Sequence, residues 1–210
     1  MSEPKVADVP SPIDLCDPKD AAEWAATAMA KRPWRVEFFA RFAEQVLALS
    51  GRRVLELGSG PGFLAEAILG PVPGVDYTLL DFSAAMHDLA IERLGDLARN
   101  ARFIRADFRG PDWMHGLPRF DAVVTMQAVH ELRHKGRAEA FHRQVRELLA
   151  PGGAYLVCDH YLGPDGMSND QLYMTATEQR ECIQRAGYGD VRELLRQRGL
   201  VLHRAAVPDQ

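Results

Sequence analysis

Along the stretch VLELGSGPG three glycines alternate, Gly58, Gly60 and Gly62, and an acid, Glu56, stands two residues before the first. Gly58 permits a tight turn after an apolar run, while Gly60 and Gly62 lack the Cβ atoms that would hold a ligand away from the backbone. Two ligand chemistries compete for such a loop. A dinucleotide pyrophosphate wants G-x-G-x-x-G, with an acid about 20 residues later for the ribose. Here the spacing is G-x-G-x-G. A carboxylate at Glu56 is badly placed beside a pyrophosphate and suits a ligand that carries an ammonium and no phosphate. Asp81 ends the next apolar run, where a carboxylate can accept from two ribose hydroxyls; it serves either ligand and does not discriminate. A turn that holds no ligand is the bland alternative.

A second group of chemistry-bearing residues follows two later apolar runs. AVHELRHK offers His130, Glu131 and His134; CDHY offers Asp159, His160 and Tyr161. His130, with an ordinary imidazole pKa near 6.5, would act as a base or orient an acceptor; a histidine that bonds a neighbouring backbone group is its bland alternative. His160 is the weaker catalytic candidate, and His134 reads as structural or as pocket wall. The spacing H-E-x-x-x-H misses the H-E-x-x-H zinc pattern, so no metal is expected.

The elements that must position these residues alternate. RRVLELG, DYTLLD, RFIRAD, FDAVVTM and GAYLVCD read as strands. FLAEAIL reads as a helix with Pro61 near its first turn and Gly70 at its end. SAAMHDLAIERLGDLA reads as a helix with Ser83 as N-cap and Met86, Leu89, Ile91 and Leu94 as its apolar positions. RAEAFHRQVRELL is a third helix, and Thr177 to Ala186 a fourth. Strands alternating with helices imply an α/β fold, a parallel sheet with helices on both faces. GDVRELLR and LVLHRA, joined by QRG, predict an antiparallel hairpin at the end. Ahead of the first strand lie two helices, DAAEWAATAMAKR and WRVEFFARFAEQVLALSG, the second with Phe38, Phe42, Val46 and Leu49 at helical spacing. Residues 1–19, rich in proline, form an extended or disordered tail.

At 210 residues the chain holds one well-cored domain. A formal net charge of −4 supplies no global pull towards nucleic acid or an anionic membrane. Arg180, Arg185, Arg192, Arg196 and Arg198 read as a solvated face. Cys16, Cys158 and Cys182 are few and far apart, which fits a reducing compartment. No apolar run approaches the ~20 residues of a membrane span, and MSEPKVADVPSP has no apolar signal core. A cytoplasmic location and a monomer or homodimer are expected.

Read in order, these motifs resemble the class I S-adenosylmethionine-dependent methyltransferases. VLELGSGPG is similar to that family's glycine motif, LLDFSAAM to its ribose-binding motif and RADF to its third motif. FDAVVTMQAVHEL resembles the fourth-strand motif, LLAPGGAYLVCD the turn and fifth strand, and AGYGDVRELLRQRGLVLHRA the closing hairpin. The resemblance covers residues 51–206, with the helices of 20–50 capping the pocket and 207–210 as a tail. It implies a Rossmann-like seven-stranded sheet of order 3-2-1-4-5-7-6 with strand 7 antiparallel. It further implies S-adenosyl-L-methionine as cofactor and S-adenosyl-L-homocysteine as product. Carried over by position, Gly58, Ser59, Gly60 and Gly62 with Glu56 would line the methionine end, and Asp81 would bind the ribose. Phe82 and Met86 would flank the adenine, Asp107 would accept from its amino group beside Phe108, and Gln127 would face the sulfonium. The short segment after the fifth strand points to a small-molecule acceptor bearing O, N or S. Trp34, His134 and Tyr161 are expected in its pocket, under a cover that includes Trp24 and Phe38. The alternatives are a non-catalytic or non-methylating binder of the same cofactor and, less favoured, a nicotinamide-dependent oxidoreductase.

Overall fold

The computed structural model describes residues 7–207; the expectations for 1–6 and 208–210 lie outside the described residues. Helix α1 (Pro18–Lys31) starts where Asp17 accepts from the backbone N–H groups of Lys19 and Asp20. After a break at Pro33 comes α2 (Arg35–Leu47). The sheet then alternates with helices: β1 (Arg53–Leu57), α3 (Phe63–Leu69), β2 (Asp76–Asp81), α4 (Ala84–Leu94), β3 (Ala101–Arg105), β4 (Phe120–Met126), α5 (Ala138–Glu147) and β5 (Leu149–His160). Last come α6 (Ala176–Arg185), β6 (Asp190–Gln197) and β7 (Leu200–Ala206).

The strand order is β3-β2-β1-β4-β5-β7-β6, with β7 antiparallel to both neighbours. The five parallel strands read as near-continuous apolar runs because both faces are covered. Val54, Leu79 and Val124 point to a layer containing Phe38, Phe42 and Val46 of α2 and Ile68 of α3. Leu55, Leu57, Leu80 and Val123 point to the opposite layer, under Phe141 and Val145 of α5 and Ile183 of α6. The register Glu56↔Leu79 and Glu56↔Val124 puts Glu56 in the middle of the sheet, near its C-terminal edge.

Three local expectations shift. Helix α3 begins at Phe63 with Gly62 as its left-handed N-cap (φ 79°), so Pro61 lies in the preceding turn. Ile91 is 47% exposed: Met86, Ala90 and Leu94 set the buried face of α4, and Ile91 points away from it. Helix α6 is shifted by one residue, because the capping box of Thr175 and Glu178 starts it at Ala176. Ser83 caps α4 as read, accepting from Met86 N–H at 3.1 Å.

Candidate functional site

One cavity of about 510 Å³ opens at the C-terminal edge of β1, β2, β4 and β5. This is where an open α/β sheet places its ligands. The glycines divide the work of the loop. A Cβ on Gly58 (φ 66°) would collide with the Ala128 side chain, and one on Gly62 would press on Ala90 of α4 at 3.1 Å. Gly62 therefore packs helices together and does not line the cavity. A Cβ on Gly60 (φ 53°) would meet nothing within 4 Å, because it would project into open space beside the cavity wall.

Asp81 ties this loop to α4. Its carboxylate accepts from Gly60 N–H at 2.8 Å and from Ser83 N–H at 2.9 Å. Burial raises its pKa from the ordinary value, and those donors oppose the rise. Its remaining lone pairs line the cavity. Glu56 is fully buried and accepts from the Tyr77 hydroxyl at 2.9 Å. Burial lifts its pKa to about 8, the Tyr77 hydrogen bond opposing and the nearby Asp81 adding to the rise. At neutral pH its carboxyl is thus mostly protonated until a cation reaches it. Ser59, Phe82, Met86, Phe108 and Gln127 line the same space.

Beyond Gln127 the wall is built from both histidine candidates. His130 holds Asp159 through Nδ1 at 2.7 Å and Glu131 through Nε2 at 3.3 Å, while its backbone N–H donates to Asp159 at 2.8 Å. Burial alone would lower its pKa; the carboxylates of Asp159 and Glu131 outweigh burial and raise it to about 10. His130 is therefore an imidazolium at neutral pH, a fixed cation with both N–H groups engaged and no free lone pair to take a proton. His160 is the reverse. Burial pushes its pKa down to about 4, Asp159 opposing and the His130 cation reinforcing the shift. The neutral ring accepts at Nε2 from the Gln127 amide at 2.8 Å, an assignment that follows from the network around it.

Several expected residues lie elsewhere. Asp107 is held by Arg109 through its backbone N–H and its guanidinium, which lowers the Asp107 pKa, and it does not line the cavity. Trp34 stacks under Arg198, with the guanidinium 5.1 Å from the ring centre. His134 caps a short turn by accepting from Gly136 N–H at 2.9 Å. The Tyr161 hydroxyl donates to Asp165 at 2.5 Å, beside a separate surface groove. Phe38 is in the core. The cavity is covered by Trp24 of α1, with Arg35 and Phe39 of α2 in place of Phe38, and by residues 9–13 and Leu15. The tail is pinned across the opening: Arg133 Nε donates to Val9 O at 2.8 Å, an Arg133 terminal nitrogen donates to Pro10 O at 2.7 Å, and Val9 N–H donates back to Arg133 O at 2.8 Å. Tyr173 also lines the cavity, its ring centre 5.7 Å from that of His130 and 5.9 Å from that of His160. Nothing in the spacing of QLYMTATE singles it out.

Three buried polar atoms that lack a partner line this cavity: Ser59 Oγ, Gln127 Oε1 and Arg35 Nε. Buried groups of that kind are rare in a finished structure and mark the contacts a ligand completes. Together with the space beside Gly60 and the free lone pairs of Asp81, they fit a ribonucleoside that carries an amino-acid end.

The sheet order, the glycine loop and the acid closing β2 define a Rossmann-like methyltransferase fold. Residues 54–153 match the family described as a methyltransferase domain. The chain is similar to S-adenosylmethionine-dependent methyltransferases in this domain and in its fold. It is similar to the protein-L-isoaspartate O-methyltransferase of Stenotrophomonas maltophilia, at 33% identity over 60% of this chain and 54% of that protein. It is also similar to a probable non-canonical nonribosomal peptide synthetase, CymA, of Salinispora arenicola, at 31% identity over 56% of this chain and 2% of that protein. The chain thus spans about half, or a small fraction, of these curated relatives. Among solved structures, DhpI in complex with SAH superposes with a TM-score of 0.68 at 25% identity, covering 92% of this chain and 94% of that one.

Proposed function

We propose that the chain transfers the methyl group of S-adenosylmethionine to an O, N or S atom of a small-molecule acceptor, releasing S-adenosylhomocysteine. The observation that carries the reading is the single cavity shared by the glycine loop, Glu56 and Asp81 on one side and the His130–His160–Tyr173 wall on the other. Bound there, the cofactor supplies an activated methyl carbon with a neutral thioether as leaving group. Asp81 receives the ribose hydroxyls, Glu56 the ammonium, and Phe82, Met86 and Phe108 flank the base. The acceptor enters against Gln127, His160 and Tyr173.

Alignment is worth roughly 7–11 kcal/mol in such a displacement, and a general base ~10²–10⁴-fold in rate, about 3–5 kcal/mol. Geometry therefore contributes more than proton transfer, which agrees with a wall whose best-placed histidine is already protonated. His130 acts as a fixed positive charge that orients the acceptor and stabilises a developing anion. His160 is the neutral ring facing the cavity, but its acceptor nitrogen is taken by the Gln127 amide and burial holds its pKa near 4, so it positions the methyl acceptor through Gln127 rather than serving as a strong base. A pyrophosphate-bearing dinucleotide would meet the buried carboxyl of Glu56, which disfavours the oxidoreductase alternative.

The test is incubation of the purified chain with S-adenosylmethionine and a panel of hydroxyl, amine and thiol acceptors, with mass-spectrometric detection. A methylated product together with S-adenosylhomocysteine is the expected result. Tight binding of the cofactor with no transfer to any acceptor would favour a non-catalytic binder, and tighter binding of NADH would overturn the reading.

A further inference from the structure

We infer that Arg35, with Arg32 beside it, forms a carboxylate-recognition subsite in the wall of the main cavity. Arg35 opens α2, one turn before Phe39, and both line the cavity, Phe39 at the margin of the core that holds Phe38 and Phe42. Its side chain is 5% exposed. The guanidinium carbon lies 5.8 Å from the Trp24 ring centre, 5.7 Å from Phe39 and 5.6 Å from Phe63. Among the described residues no carboxylate pairs with it, and its Nε has no hydrogen-bond partner. Arg32 is half-buried, lines the same cavity and has no carboxylate partner among the described residues.

A buried cation without a counter-charge is expensive. Arginine does not escape that cost by losing its proton: burial, and secondarily the Arg32 charge, bring the Arg35 pKa down only to about 10. The three rings supply cation–π attraction and hold the guanidinium in place, yet they accept none of its in-plane N–H donors. Those donors match a carboxylate, which a guanidinium binds in a bidentate fork. The Arg32 charge nearby strengthens the local preference for an anion. Glu56 lines the same cavity with the opposite preference, for a cation, so a ligand carrying both an ammonium and a carboxylate is complemented at both ends. The carboxylate has two possible sources, the amino-acid end of the cofactor or an acidic acceptor. The first source rests on the methyl-transfer reading; the second does not.

The experiment is calorimetric titration of the full chain and its Arg35→Met and Arg35→Lys variants. The probes are S-adenosylhomocysteine, 5′-methylthioadenosine, which keeps the nucleoside and sulfur but lacks the amino-acid end, and benzoate. If the carboxylate is the cofactor's, Arg35→Met weakens S-adenosylhomocysteine by about 10- to 100-fold, the range of a lost charge-assisted pair. Methylthioadenosine then stays within ~2-fold of wild type, and Arg35→Lys falls between, since it keeps the charge and loses the fork. If the carboxylate is the acceptor's, S-adenosylhomocysteine is unaffected, and the wild type binds benzoate while Arg35→Met does not. Unchanged affinity for S-adenosylhomocysteine together with no benzoate binding overturns the subsite. So does an equal loss for both nucleosides, which would mark Arg35 as packing only. A wild type that binds neither nucleoside overturns the methyl-transfer reading instead, and the benzoate titration of the ligand-free chain then decides the subsite alone.

Discussion

Replacing Glu56 with glutamine tests the electrostatics at the base of the cavity. The carboxyl is buried among Tyr77, Asp81 and the sheet, and its pKa is raised from 4.5 to about 8, chiefly by burial. The sign follows from linkage. An acid whose folded pKa lies above its unfolded one binds more protons when folded, so stability falls as pH rises from about 4.5 to about 8 and is level beyond. A shift of that size corresponds to roughly 5 kcal/mol at most. Relaxation around an ionised buried group reduces what is measured, so ~2–5 kcal/mol is the expected range. Glu56→Gln keeps an acceptor for the Tyr77 hydroxyl and removes the titration. Denaturant unfolding of both proteins at pH 5 and pH 8.5 reads the difference. The variant should gain on the wild type by ~2–4 kcal/mol between the two pH values, which span most of the titration. Parallel stabilities at both pH values would refute the argument, because Glu56 would then ionise freely in the fold. The same carboxyl should lose its proton when an ammonium arrives. Calorimetry of S-adenosylhomocysteine at pH 7 in buffers of different ionisation enthalpy should show release approaching one proton in the wild type and less in Glu56→Gln.

Other outcomes are expected from the same geometry. Asp81→Ala should weaken S-adenosylhomocysteine by at least ~1.5 kcal/mol, the scale of a lost charge-assisted hydrogen bond. It should also lower the melting temperature, because Gly60 and Ser83 lose their acceptor; unchanged calorimetric affinity would remove Asp81 from the ribose seat. Gly60→Val, at φ 53°, should cost roughly 1–2 kcal/mol of stability from the left-handed backbone and abolish nucleoside binding in a folded protein; wild-type affinity would reduce the loop to a turn. By NMR, the His130 ring should remain protonated through pH 8 in the wild type and titrate at clearly lower pH in Asp159→Asn, the first partner lost. A wild-type ring that titrates near 6.5 would restore it as an ordinary base.

The cofactor half of this site is legible in the sequence because backbone geometry dictates it. A strand that must turn sharply and leave room for a ligand needs glycine at Gly58 and Gly60, and an acid closing the next strand is fixed in place by the sheet register. Each requirement is local, so spacing alone reveals it. The acceptor half is built from contacts between segments far apart in the chain, and no period records them. Asp159 reaches His130 across 29 residues, and that contact, together with Glu131, turns an ordinary imidazole into a fixed cation. Arg133 reaches back across 124 residues to hold Val9 over the opening. The helical period of α2 identifies Phe38, Phe42 and Val46 as core, and it misplaces the cover by one position, since Arg35 and Phe39 form the neighbouring stripe. An arginine at the head of an amphipathic helix is ordinarily a solvated charge. Only the packing of Trp24 and Phe63 around it shows that this one is sealed inside. The two halves also differ in what a substitution would do. Changes in the loop act on shape, whereas changes around His130 act on charge at a distance. Glu131 sits between the His130 ring and the Arg133 guanidinium, so the cation facing the acceptor and the arginine that holds the N-terminal segment share one carboxylate. Neutralising Glu131 therefore affects both at once, and kinetics alone would confound a chemical role with an effect on entry. Substitution at Asp159 separates them, because that residue bonds the ring and its backbone and, among the described residues, makes no hydrogen bond to Arg133 or to the N-terminal segment.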